Sequence, residues 1–311
     1  MIKRTLYFGN PAYLSAKYSQ LEVRLPEVEK NSTLPDSFKA SAVKQIPIED
    51  IGVVVLDNKQ ITITQGALSA LLDNNVAVIS CDEHRMPIGL MLPLAGNTTQ
   101  SERFRHQIEA SLPLKKQLWQ QTIQAKIANQ ATVLHKQRKL ECGNMEAWVK
   151  QVKSGDSDNL EGRAAAFYWQ NLFGHIEGFH RDREGTPPNN ILTYGYAILR
   201  AVVARSLVGS GMLPTLGIHH HNSYNAYCLA DDIMEPYRPF VDKLVAEIVD
   251  SGIDVSTLTT EIKRELLAIP VLDVVINGRR SPLMVAVGAT TASLYKCYSG
   301  EIRKIAYPTF E

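Results

Sequence analysis

The sequence predicts an α+β protein in which strands and helices are segregated: an N-terminal β-sandwich-like domain over residues 1–96, then an all-α domain over 97–311. Three observations predict it. Before residue 93, short segments rich in β-branched and aromatic residues recur, several alternating polar with apolar at the period of a half-buried strand. Around Ala95–Asn97 that texture gives way to helical patterning with few strand signals. Strands first and helices after argue for separate layers, not an alternating parallel sheet.

In the first domain, Thr5–Phe8, Tyr13–Leu25, Gly52–Leu56 and Gln60–Thr64 read as strands, with Asp57-Asn58 as a hairpin turn. Gly66–Leu72 reads as a short helix, followed by strands at Val76–Ser80 and Pro87–Leu92. This half shows almost no catalytic-looking cluster, so it is assigned scaffold or assembly duties. Thr99-Gln100-Ser101-Glu102 then predicts a capping box, a hydroxyl at the N-cap and a glutamate three residues on. Helix breaks fall at 141–144, 155–158, 181–190 and 209–214. The third of these, RDREGTPPNN, is a polar loop long enough to contact a partner.

Composition excludes several classes of function. The longest apolar runs, such as Ile51–Leu56, fall well short of the roughly 20 residues needed to cross a bilayer. MIKRTLYFGN lacks the apolar core of a signal peptide. Cys81, Cys142, Cys228 and Cys297 are scattered with no CxxC pair, so reduced thiols in a cytoplasmic protein are expected. Neither GxxxxGK[ST] nor GxGxxG occurs, which argues against ATP or dinucleotide chemistry. A net charge of +1 points to no nucleic-acid partner, yet residues 101–153 hold ten Lys/Arg against four Glu. Such a segment either forms a solvated helix face or neutralises phosphates.

The groups that could do chemistry concentrate in Gly217–Asp242, GIHHHNSYNAYCLADDIMEPYRPFVD. Asp231, Asp232 and Glu235 place three like charges within about one helical turn, which demands a positive group nearby. A metal ion and an arginine both qualify, and Arg238 stands three residues after Glu235. A histidine with two or three carboxylates makes a mixed donor set for a divalent cation; a run of three histidines is also an ordinary solvated loop. Pro236 and Pro239 cannot sit inside one helix but fit the first turn of a new one, so Glu235 is expected at a junction between helices Ser223–Met234 and Tyr237–Val249. Upstream, DNLEGRAAAFYWQNLFG reads as a helix starting at Asp158, with Glu161, Ala165, Tyr168 and Leu172 on one stripe. Glu161 there is either an inward functional carboxylate or the partner of Asp158 in a helix cap. The tyrosines of the apolar helix from Asn190 and the tryptophans 119, 148 and 169 read as packing groups. Arg279, Arg280 and Lys296 read equally as surface or as phosphate contacts.

Three of these segments, in order, resemble the CRISPR-associated integrase family (Cas-one), the endonucleases that insert new spacers. EGRAAAFYWQNLFG resembles the segment bearing the family's first catalytic glutamate. NNILTYGYAILRAVV resembles its Asn-x-x-Leu-x-Tyr-x-Tyr helix, and GIHHHNSYNAYCLADDIMEPYRPFVD its histidine-to-acidic segment, with LADDIMEPYRPFVD the most specific part. The wording looks most like the variant of single-effector (type II) systems. The resemblance implies catalytic metal ligands Glu161, His220 and Glu235, with His219 or His221 as alternatives to His220 and Asp232 as a second acidic position. It implies Mg2+ or Mn2+ as cofactor, DNA fragment and CRISPR repeat as substrates, a homodimer, and bridging by the family's small ferredoxin-like companion (Cas-two). It raises the basic segment and Arg279-Arg280 to DNA-binding surface. The activity implied is transesterification by a 3′-hydroxyl on a phosphodiester in antiviral defence. The readings in competition are a structure-specific metallonuclease acting on branched DNA and a non-enzymatic DNA-binding scaffold.

Overall fold

The computed structural model describes residues 2–182 and 185–311. The chain divides into two compact units, Met1–Gly96 and Asn97–Glu311. The first unit runs β1 (Arg4–Phe8), β2 (Ala12–Lys17), β3 (Gln20–Arg24), α1 (Pro26–Glu29), α2 (Asp36–Ala42), β4 (Lys44–Pro47), β5 (Ile51–Leu56), β6 (Ile61–Ile63), α3 (Gln65–Asp73), β7 (Ala77–Cys81) and β8 (Pro87–Met91). Its strands form two four-stranded sheets, in orders β1-β5-β7-β8 and β4-β3-β2-β6. In the first, β1, β5 and β7 are parallel and β8 returns antiparallel. Strand β5 is buried along nearly its whole length and reads IGVVVL, the continuous apolar run of a strand covered on both faces. Leu14 and Leu21 of one sheet, Val54 and Val78 of the other, and Leu71 of α3 meet in one buried cluster.

Two features of this unit differ from the sequence reading. Tyr13–Leu25 is not one strand but the hairpin β2–β3, turned at Tyr18-Ser19 with positive φ at both residues. Two left-handed residues are what a two-residue turn needs to match strand twist, and here neither is Gly or Asn, so the usual signal is missing. Asp57-Asn58 is not a hairpin turn, because β5 and β6 lie in different sheets. Asp57 Oδ2 accepts the Tyr7 hydroxyl at 2.5 Å and Asn58 Nδ2 donates to Gly9 O at 3.1 Å, pinning the crossing.

The second unit contains α4 (Gln100–Glu109), α5 (Leu112–Arg138), α6 (Gly143–Gln151), α7 (Leu160–Leu172), α8 (Asn189–Gly209), α9 (Cys228–Met234), α10 (Arg238–Asp250), α11 (Thr260–Leu266), β9 (Asp273–Ile276), β10 (Arg279–Pro282) and α12 (Leu283–Tyr298). Helix α5 starts at Ser111, whose hydroxyl accepts from Leu114 N, and ends at Lys139 in the left-handed region. It packs against α6, α7 and α10, while α8 packs against α9, α10 and α12. Helix α8 is long and apolar enough to cross a membrane by length and composition, yet most of it is buried inside this unit. Thr99 makes no capping bond to its own helix; its hydroxyl donates to Asn97 Oδ1 at 2.9 Å and accepts from Arg103 Nε at 2.8 Å. One hairpin interrupts the helices: β9 and β10 pair antiparallel around Asn277-Gly278, both at positive φ.

Candidate active site

Glu161 enters the site from the first turn of α7. Asn159, itself left-handed, caps that helix by accepting from Gly162 N at 3.2 Å. The Asp156 carboxylate takes the amides of Leu160 and Glu161 at 3.0 and 2.9 Å, and Asp158 pairs outward with Lys153 at 2.7 Å. The helix end is therefore satisfied without the Glu161 side chain. That carboxylate turns instead to Lys126 of α5, with Nζ 2.6 Å from its Oε1.

Glu235 meets the same ammonium. Residues Glu235–Tyr237 form one 3-10 turn between α9 and α10, with Pro236 and Pro239 each in a first turn. Helix α9 begins at Cys228, five residues later than Ser223, because Tyr224 N and Tyr227 N are taken by the side chains of Asn222 and Asn225. Glu235 is buried, its Oε2 is 2.6 Å from Lys126 Nζ and its Oε1 is 3.0 Å from Arg238. Burial raises the Glu235 pKa, but Arg238 and Lys126 outweigh it and hold the carboxyl below the usual range. The same logic acts on Lys126: burial lowers its pKa, and Glu235 with Glu161 more than reverses it.

The three histidines have three different jobs. His219 lies flat on Trp119, ring centroids 4.2 Å apart, and burial depresses its pKa. His221 is exposed, with Nδ1 2.5 Å from His219 O. His220 Nδ1 stands 2.5 Å from Asp232 Oδ1, and that bond raises the imidazole pKa against a smaller loss from burial. Asp232 is fully buried and also accepts His219 N at 2.9 Å. Gly217 makes this fold-back possible, since a Cβ there would stand 2.3 Å from His220 O and 2.9 Å from Asp232 Oδ2. With Nδ1 committed to a carboxylate, Nε2 of His220 is the nitrogen left to bind, and the side chain is 47% exposed.

Around this centre the other charges are paired. Asp231 is bound by Arg200 at 2.6 Å and Asn225 at 2.7 Å. Asp242 accepts the hydroxyls of Tyr196 and Tyr168 at 2.5 and 3.1 Å, so Tyr196, which reads as a packing group, and Tyr168, on the stripe shared with Glu161, both make buried hydrogen bonds. Arg238 lies over the Tyr196 ring, 4.8 Å from its centroid. Several members of the basic segment are engaged internally: Arg103, Lys126 and Lys153 as above, and Arg138, which holds Asp250 through both terminal nitrogens and donates to Leu172 O. Arg280 likewise pairs with Asp273 at 2.6 Å.

A profile for the CRISPR associated protein Cas1 matches residues 8–263. The chain belongs to the Cas1 family. The CRISPR-associated endonuclease Cas1 of Neisseria meningitidis serogroup C is 40% identical over 223 residues, 71% of this chain and 72% of that one. Among solved structures, a casposase bound to integration product superposes with a TM-score of 0.76 at 19% identity, over 98% of this chain and 92% of its own. A Cas6-RT-Cas1–Cas2 complex gives 0.73 at 19% identity, over 98% of this chain and 36% of the longer one. At those identities the likeness is one of fold, and it confirms the α+β architecture.

Whether this Cas1 chain suits a divalent ion can be judged from its donor groups. Among the described residues, no three His, Cys, Asp or Glu side chains stand close enough together to hold a metal. Two carboxylates do converge on one cation position, and the Lys126 ammonium fills it. Glu235 Oε2 is buried and, among the described residues, accepts no hydrogen bond of regular geometry despite that contact. Anionic oxygens converging on a point, beside an imidazole oriented by a carboxylate, are the donor chemistry a hard divalent ion takes. In donor type these residues suit such an ion, and the Lys126 ammonium stands where the two carboxylates would take it. Sequence reasoning missed Lys126, although Trp119, Thr122, Ile123, Lys126, Ile127 and Gln130 follow the buried spacing of α5 and could have flagged it.

Proposed function

We propose that this Cas1 chain is a metal-dependent DNA endonuclease and integrase that inserts short DNA fragments into a CRISPR array. The observation that carries the reading is the convergence of Glu161, from α7, and Glu235, from the turn before α10, on one cation position, with the carboxylate-held His220 within their electrostatic reach. Glu161, His220 and Glu235 would hold Mg2+ or Mn2+, and the imidazole in the set favours manganese. When held there, such an ion would supply Lewis-acid polarisation of the scissile phosphate and charge stabilisation on the attacking and leaving oxygens. Lys126 bridges the two carboxylates when no ion is bound and, with Arg238, keeps Glu235 ionised. Asp232 fixes the ring of His220, which acts as a ligand and not as a general base. Arg238 stays charged beside Glu235 and limits how far that carboxylate can swing. The nucleophile is the 3′-hydroxyl of the incoming fragment, attacking a phosphodiester at the edge of the repeat.

A homodimer with the Met1–Gly96 unit in assembly, bridged by Cas2, completes the proposal; the fold-level likeness to a Cas1–Cas2 complex supports that partner. The 40% identity to the Neisseria protein supports the type II variant. The test is an integration assay with labelled fragment, repeat-bearing plasmid, Cas2 and either metal. His220→Ala and Glu235→Ala are expected to lose joining while still folding and binding DNA, and full joining by either removes that residue from the site. Cleavage of branched DNA without any joined product would favour a structure-specific metallonuclease. One observation favours a DNA-binding scaffold: Lys126 and Arg238 already neutralise Glu235. Calorimetry showing no manganese or magnesium uptake would decide for the scaffold.

A further inference from the structure

The turn that carries Glu235 is short of backbone donors. Pro236 and Pro239 remove two N–H groups from the helical ladder on either side of it. A turn that must hold a carboxylate in place needs its carbonyls satisfied from elsewhere. The donors come from α5, and behind them stands the segment 303–311.

Asn129 is the link. It is buried, one turn beyond Lys126 on α5, and its Nδ2 donates both of its hydrogens to backbone carbonyls: Pro236 O at 2.8 Å and Pro308 O at 3.0 Å. The neighbouring residues repeat the pattern. The Tyr237 hydroxyl meets Thr290 Oγ1 at 2.6 Å, and the same Thr290 oxygen donates to Ala306 O at 2.6 Å. Phe240 stacks on Phe310 with centroids 4.0 Å apart. Three positions of the turn and its following helix, 236, 237 and 240, are thus each tied to a different position of 303–311. That segment is anchored along α5 and to β9. Gln121 holds Arg303 O and Ile305 N, the Tyr307 hydroxyl meets Thr122, and Thr309 bridges Val275.

We infer that 303–311 is a strap that holds the Glu235 turn in register, with Asn129 as the positioning residue that couples strap to turn. Asn129 touches no reacting group; it acts through the Pro236 carbonyl on the residue next to it. The role rests on the proposed reading of Glu235 as a ligand, and the strap lies outside the residues 8–263 matched by the family profile.

Hydrogen–deuterium exchange on the full chain tests the strap separately from that reading. In Asn129→Ala, peptides spanning 235–240 and 305–309 are expected to exchange at least tenfold faster, with α7 and residues 1–96 unchanged. Joining should fall by a similar factor, with DNA affinity unchanged. Unchanged exchange at 235–240 overturns the inference, and so does uniform acceleration across the helical unit. Should Asn129→Ala fail to fold, Tyr307→Phe removes only the Thr122 bond. It is expected to raise exchange at 235–240 by about two- to threefold, and no change there overturns the inference equally. Glu235→Ala run beside them separates the failures: retained joining in that variant removes the site reading, whereas the exchange result still decides the strap.

Discussion

Glu235 and Asp242 are two buried carboxylates seven residues apart, and their surroundings give them opposite characters. Glu235 sits between the Lys126 ammonium and the Arg238 guanidinium, and its carboxyl is held below the usual range. Asp242 accepts two tyrosine hydroxyls, and burial pushes its pKa up to about 7. Burial costs both groups their hydration; what differs is what replaces the water. Cations around a carboxylate make a place where positive charge resides, and one cation can be exchanged for another. Phenols around a carboxylate make a structural joint. Arg238 connects the two, paired with Glu235 on one side and lying over Tyr196 on the other.

The comparison breaks most visibly in activity. Glu235→Gln is expected to lower strand joining by more than about 100-fold, beyond the range for residues that only orient a ligand. Asp242→Asn is expected to stay within a few-fold. A joining assay in which both variants fail equally would erase the distinction between site and joint. Next in size is Lys126→Met, which removes the cation shared by Glu161 and Glu235 and leaves only Arg238 beside Glu235. Breaking a buried pair in this way costs about 3–5 kcal/mol. Urea denaturation should show that loss without metal and a larger recovery with manganese than the unaltered chain shows. Equal metal response in the two proteins would mean that the ammonium does not occupy the cation position. Smaller again is Asp232→Asn, which releases the His220 ring: manganese affinity by calorimetry is expected to drop about 10–100-fold. Unchanged affinity would place His220 outside the ligand set.

How much of this was legible in the sequence follows from what kind of information each feature needs. The central strands read from composition, because alternation and apolar runs are local. The crowding of Asp231, Asp232 and Glu235 also reads locally, and so does the demand for a positive group. Which positive group answers is not local. Lys126 counts in the sequence as one cation among ten in residues 101–153, and only the packing of α5 turns it inward. The jobs of His219, His220 and His221 depend on Trp119, Asp232 and a glycine at 217, none of which a run of three histidines reveals. Glu161 reads equally as cap or functional carboxylate until Asp156 is seen to take the helix amides. The Asn277-Gly278 hairpin did carry a signal, the strongest two-residue turn pair, and was hidden by helical neighbours.

The smallest effect concerns the joint alone, and its sign is fixed by the direction of the Asp242 shift. Its pKa rises from 3.8 in an exposed chain to about 7 in the fold, so the folded protein binds a proton that the unfolded chain releases. The contribution is fully present below 3.8 and is lost as pH rises through 7, the reverse of a salt-bridged carboxylate. Asp242→Asn removes that dependence. Between pH 5 and pH 8 the variant should therefore gain on the unaltered chain by roughly 2.6 kcal/mol, with an absolute offset set by how well the amide serves the two hydroxyls. Urea midpoints across that range measure the slope. A difference that does not change with pH would mean that Asp242 is ionised in the fold, and that some charge, not the phenols, keeps it so. Arg238 would then be shared between both carboxylates.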